Sequence, residues 1–194
     1  SAMGRLLSFE TEKPPYWLLN TLRYELESRP GETPREHYYN TSAVIAFDET
    51  GNPAVVSLND KQRLVPFGEF IPGGRWMEEL GSKTLSTSLA SITAAKEKTL
   101  AHFPGLPVGS PQICYEIIFS GFMPRPDDGR RAQWILNQSN DAWFGKLIGP
   151  AQHANIAAYR AIEEGVPIIR SASNGISGII DPYGRYTQKL ASQD

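Results

Sequence analysis

A chain of 194 residues, 40% hydrophobic and 21% charged, is long and apolar enough to bury the core of one globular domain, read here as spanning 1–194. A formal charge of −2, with no Lys/Arg run interleaved with aromatics, argues against a nucleic-acid partner. A single cysteine excludes an internal disulfide, and no apolar run approaches the roughly 18 residues that cross a bilayer.

Ser1-Ala2-Met3 reads as the remnant of a cleaved tag, and no signal-peptide pattern follows, so a soluble piece of something longer is expected. The β-branched runs Ala43–Phe47 and Ala54–Leu58 flank Asp48-Glu49-Thr50-Gly51-Asn52-Pro53, a strong turn signal, and predict a hairpin. From Trp76 to about Lys98 the text is tolerant of helix but broken by Gly, Ser and Thr, and predicts a mixed excursion. A short apolar strand over Pro111–Ile113 ends at Cys114, and Trp134–Asn137 reads as a second buried strand. Ala154, Ala157, Ala158 and Ala161 lie at helical spacing between Gly149-Pro150 and Gly165, predicting a helix with a small-residue face. Val166–Arg170 and Gly175–Ile180 read as paired strands closed by Asp181-Pro182-Tyr183-Gly184. Strands alternating with helices but joined by hairpins predict a layered α/β sandwich with mixed or antiparallel pairing.

Cys114 stands where a buried strand gives out, the place where open α/β folds put reactive groups. By residue type alone a cysteine beside Ile113 is more often a core residue. A free thiol is only a few per cent thiolate at neutral pH, so catalysis needs a base or cation near it. Lys61 follows a strand and precedes an apolar, turn-rich stretch holding Glu69; a lysine held there can stabilise an oxyanion. His37, His102 and His153 are scattered without ligand spacing, and the Gly-rich stretches lack a phosphate-loop pattern, so neither metal nor nucleotide cofactor is expected. Trp143-Phe144 before Gly145 reads as an apolar flap.

Together these segments resemble the nitrilase superfamily and, within it, the apolipoprotein N-acyltransferases. The resemblance rests on KQRLVPFGEFIP (Lys61–Pro72), QICYE (Gln112–Glu116), SNDAWFG (Ser139–Gly145), GPAQH (Gly149–His153), RAIEEGVPIIR (Arg160–Arg170) and NGISGIIDPYG (Asn174–Gly184), in order from roughly Tyr38 to Gly184. It implies an α/β fold, the nitrilase-type αββα sandwich, lacking its first strand here. It also implies a Glu-Lys-Cys triad: Cys114 as nucleophile, Lys61 as oxyanion-stabilising lysine, Glu69 as supporting acid and Glu116 as a further glutamate of the site. Glu10, four residues before Pro14, stands nearest to the general base of the triad, although the Trp-Pro that precedes such a base is missing. The alternative is that Leu6–Phe9 forms the strand that follows the base, which then lies upstream. Tyr115, Trp143 and Phe144 join Glu116 as candidate substrate-binding groups. The implied partners are a phospholipid acyl donor and an apolipoprotein acceptor, reached through membrane helices of a parent protein. That parent is placed at the periplasmic face of the bacterial inner membrane, acting as a monomer. Two other readings stay open at this point, a soluble nitrilase-type amidase and a catalytically degenerate acyltransferase-like protein.

Overall fold

The structure, a computed structural model, describes residues 15–70, 72, 92–125, 129–145 and 147–190. Strand β1 (Tyr16–Glu27) pairs antiparallel with β2 (Arg35–Phe47) without a break from Tyr16↔Ala46 to Glu27↔Arg35. β2 pairs antiparallel with β3 (Pro53–Asp60), with a bulge at Val44/Ile45. The predicted hairpin of β2 and β3 is therefore present, and its turn is built by Asp48, whose carboxylate accepts the N–H groups of Thr50 at 2.9 Å and Asn52 at 2.8 Å.

β1 has no counterpart among the elements expected from the sequence; Leu18, Leu22 and Leu26 recur every four residues, a spacing that fits a helix as well as any strand. Pairing with β2 along the whole element overrides that local period. Glu10 and the alternative strand Leu6–Phe9 lie outside the described residues, as does 73–91 of the expected excursion from Trp76.

The second sheet runs β4 (Gly109–Ile113), β5 (Trp134–Asn140), β6 (Ile168–Ser173), β7 (Gly178–Ile180) and β8 (Tyr186–Lys189). β4, β5 and β6 are parallel, whereas β6–β7 and β7–β8 are antiparallel, a mixed sheet. β6 begins two residues later than the sequence suggests, since Pro167 has no N–H for the ladder. β7 is shorter than its apolar run because Asn174, at φ +54°, opens a turn that occupies the residues before Gly178.

Helix α1 (Gly149–Glu164) carries Pro150 in its first turn, where a missing N–H costs nothing, and stops at Gly165 in the left-handed conformation. Its small face, Ala157, Ala158 and Ala161, packs on Ile117, Ile135, Ile168 and Ile180, the main core. Each of these isoleucines contributes about 1.5–3 kcal/mol by leaving water.

A strap of residues 92–101 joins the sheets. It bridges Tyr38 at Ile92, and its last residue, Ala101, exchanges backbone hydrogen bonds with Gly109 at the start of β4. Here Val44 of β2 meets Ala101 and Phe103, with Leu18 and Trp134 alongside. Gly109 is required by that closure, since a Cβ there would sit 2.8 Å from the Trp134 indole. On the opposite face of the first sheet, Leu19, Val55 and Leu58 are exposed. α1 is the one α-helix among the described residues, and none of these is long and apolar enough to cross a membrane.

Candidate active site

Cys114 follows β4 directly, at φ +49°. A β-carbon disfavours that left-handed conformation, so the position stores strain on the order of 1–3 kcal/mol, a pattern that recurs at functional sites. The reversal ends the strand alternation and starts a 3₁₀ turn over Cys114–Ile118. Cys114 and Tyr115 are half-buried at its start, and Glu116 and Ile117 are enclosed.

Lys61 comes from the other sheet, immediately after β3. Its backbone is fixed on both sides, N–H donating to Asn40 O at 2.8 Å and O accepting from Ala95 N–H at 2.9 Å. Its side chain is 1% exposed and its ammonium lies 2.7 Å from Glu69 Oε2. Glu69 is held in turn by Asn40 Nδ2 at 3.0 Å and by Val65 N–H at 2.8 Å. The loop Val65–Phe70 closes on itself with Phe67 at φ +61°. Among the described residues this buried ammonium, with three donors, donates to Glu69 alone, which leaves donors for an oxyanion.

Glu116 connects the two halves. Its Oε1 accepts the N–H groups of Gln62 at 2.7 Å and Arg63 at 3.1 Å, the two residues after Lys61. Its Oε2 accepts Ile113 N–H at 2.8 Å, just before the cysteine, and lies 2.5 Å from the Lys98 ammonium. One fully enclosed carboxylate thus ties the backbone beside Lys61 to the backbone beside Cys114. Four protein donors occupy its oxygens.

An aromatic row lies next to the cysteine: Tyr115 and Phe119 at 5.1 Å, Phe119 and Phe122 at 6.0 Å. The Arg63 guanidinium stands over Phe119 at 5.3 Å. Trp143 and Phe144 belong to a second 3₁₀ turn, Asp141–Phe144, after β5. Both are exposed, and with Leu147 and Ile148 they form a run of apolar side chains open to solvent.

That turn is anchored by a buried network the sequence does not single out. Asp141 accepts from Ser139 Oγ at 2.6 Å and from Arg170 Nη2 at 2.7 Å, and it contacts His153 Nδ1 at 2.9 Å. Arg170 also donates to Asn137 Oδ1 and, at 3.1 Å, to Ile176 O; Asn137 Nδ2 reaches Gln112 O at 2.8 Å. Burial pushes the Asp141 carboxyl up, but the hydrogen bonds from His153 and Ser139 and the Arg170 charge bring it below its ordinary value. A Cβ on Gly175 would collide with Asp141 Oδ2, which explains a glycine there. The sequence-level hint of this network is that Ser139, Asp141, His153 and Arg170 fall in the SNDAWFG, GPAQH and RAIEEGVPIIR segments.

Residues 24–194 match the Carbon-nitrogen hydrolase family model. The chain belongs to the carbon-nitrogen hydrolase family. It is 42% identical over 161 residues to an apolipoprotein N-acyltransferase of Bradyrhizobium diazoefficiens, covering 83% of this chain and 29% of the relative. It is 40% identical over 181 residues to the apolipoprotein N-acyltransferase of Brucella melitensis, covering 90% and 31%. The chain thus spans about three-tenths of the length of these curated relatives. Among solved structures, it matches a glutamine-dependent NAD+ synthetase from Acinetobacter baumannii with TM-score 0.59 and 13% identity, over 100% of this chain and 32% of that one. It also matches an amidase of the nitrilase superfamily from Nesterenkonia AN1 with TM-score 0.54 and 16% identity, over 99% and 63%. The fold is the nitrilase-type α/β sandwich; of its αββα layers, the described residues supply both sheets and the helix on the second sheet.

Proposed function

We propose that this carbon-nitrogen hydrolase chain carries the acyl-transfer site of an apolipoprotein N-acyltransferase, with Cys114 as the group that bears the acyl chain. The observation that carries this reading is the enclosed Lys61–Glu69 pair, tied through Glu116 to the strained turn at Cys114. The acyltransferase relatives at about 40% identity favour a lipoprotein amine over water as acceptor.

The reaction runs in two halves. A glutamate base, Glu10 or one supplied by the parent chain, takes the Cys114 thiol proton, and the thiolate attacks the ester carbonyl of a phospholipid. Lys61 Nζ and a backbone N–H near Tyr115 hold the oxyanion, and one such donor lowers the barrier by about 3 kcal/mol. The ester C–O bond breaks, the lysophospholipid leaves with the proton held by the base, and a thioester remains. The base then accepts a proton from the α-amine of a diacylglyceryl-cysteine. The nitrogen attacks the thioester, the C–S bond breaks, and the base returns the proton to the thiolate. Glu69 fixes the rotamer of Lys61 throughout.

Trp143 and Phe144, together with Leu147 and Ile148, form the apolar approach for acyl chains, with Tyr115 at the cysteine. Membrane helices of a parent protein would hold the site at the periplasmic face of the bacterial inner membrane, as a monomer. The parent protein is incubated with phospholipid vesicles and a lipopeptide starting with diacylglyceryl-cysteine, and the peptide is weighed. Gain of one acyl group as an amide, absent with Cys114→Ser, supports the reading. Release of free fatty acid with the peptide unchanged sinks it.

A further inference from the structure

Lys98 is a second enclosed lysine beside the first, and nothing in the sequence singles it out. It lies on the strap of residues 92–101, which runs along the loop of Lys61. Ala95 N–H donates to Lys61 O at 2.9 Å, Gln62 Nε2 to Lys96 O at 3.2 Å, and Asn59 Nδ2 to Thr99 Oγ1 at 2.7 Å. The Lys98 side chain is 7% exposed, ends 2.5 Å from Glu116 Oε2, and stands 5.2 Å from the Phe122 ring.

We propose that Lys98 is a positioning residue of the Cys114 site, an inference that rests on reading Cys114 and Lys61 as reacting groups: its ammonium, 2.5 Å from Oε2, fixes the enclosed Glu116 side chain so that Glu116 can clamp the Lys61 loop to the cysteine turn. An ionised carboxylate offers acceptors only, and three of the contacts on Glu116 are backbone N–H groups. Without Lys98 the enclosed carboxylate loses its only ion-pair partner among the described residues, and an uncompensated buried charge is strongly destabilising. The side chain is then free to shift from its backbone donors, and the clamp loosens on the Lys61 side or the Cys114 side.

The arrangement also divides the charges. Burial pulls the Lys98 amine down from its ordinary value; Glu116 opposes this, and the charge of Lys61 adds to the fall. Two ammonium groups close enough to repel each have their own carboxylate, Lys61 with Glu69 and Lys98 with Glu116. Removing Lys98 leaves the Glu116 charge to compete for the Lys61 ammonium, drawing it from the position Glu69 sets.

The test uses the chain with Lys98→Gln, Lys98→Arg and Lys61→Met. It reads the rate of Cys114 alkylation by iodoacetamide at one fixed pH, with thermal melting measured in parallel. Lys98→Gln is expected to slow alkylation by about tenfold or more, as a shift of a reacting group by a fraction of an ångström does, and Lys98→Arg to restore most of the rate. A folded Lys98→Gln chain that reacts at the wild-type rate, while Lys61→Met is slow, overturns this inference alone. Wild-type Cys114 reacting no faster than a model thiol, whatever stands at Lys61, overturns the functional reading instead. Should Lys98→Gln not fold, amide exchange of the Lys98→Arg chain decides. Retained protection at Gln62, Arg63 and Ile113 supports the clamp, and its selective loss there overturns it.

Discussion

Lys61 and Glu69 form a 2.7 Å ion pair in which the ammonium is almost wholly enclosed while the carboxylate stays 15% exposed. The asymmetry suits a lysine whose charge is stored for a later partner and a carboxylate that orients it. Glu69→Gln keeps the shape and one acceptor but removes the charge that holds the ammonium. Acyl transfer is expected to fall by on the order of 10²-fold, because a misplaced oxyanion donor costs about as much as a missing one. Kinetics of the variant with matched circular dichroism checks this; an unchanged rate contradicts the role given to Glu69.

The Asp141–Arg170 pair is closed to solvent at both ends. Asp141→Asn leaves the Arg170 charge without its partner, and the expected loss is about 3 kcal/mol at neutral pH. The Asp141 carboxyl titrates below its ordinary value in the fold, so its stabilisation is complete above the unfolded value of about 3.9 and is lost as pH falls through the lower, folded one. The gap in melting temperature between wild type and Asp141→Asn should therefore hold at neutral pH and narrow below about pH 4. A gap that widens in acid runs against the assignment.

Trp143 is 75% exposed and Leu147 83% exposed, so neither holds the fold together. The double variant Trp143→Ala/Leu147→Ala should melt within about 0.5 kcal/mol of wild type. Acyl transfer from long-chain phospholipid in vesicles should drop, whereas acylation of Cys114 by a short, water-soluble thioester should not. Equal losses with both donors would place these residues in the chemistry rather than the approach.

Patterns confined to one segment were legible in the sequence. The β-branched runs of β2 and β3 around the turn Asp48–Pro53, the end of β4 at Cys114 and the small face of α1 all follow from local composition, period and turn chemistry. β1 was not legible, because Leu18, Leu22 and Leu26 share a spacing with helices and only pairing with β2 decides between the two. Lys98 lies eighteen positions from Glu116, and Arg170 lies twenty-nine from Asp141. A polar residue that is buried by a distant partner leaves no periodic trace. The sequence offers Glu116 as a candidate for the site but not as the acceptor of the Gln62 and Arg63 N–H groups, since that contact depends on where a distant loop falls.

The most direct measurement is the intact mass of the chain, and of its parent protein, after incubation with phospholipid vesicles in the absence of any amine acceptor. An added fatty-acyl mass on Cys114, released by neutral hydroxylamine and missing in Lys61→Met, is the predicted result. A parent protein embedded in its membrane whose Cys114 never gains that mass would contradict the account.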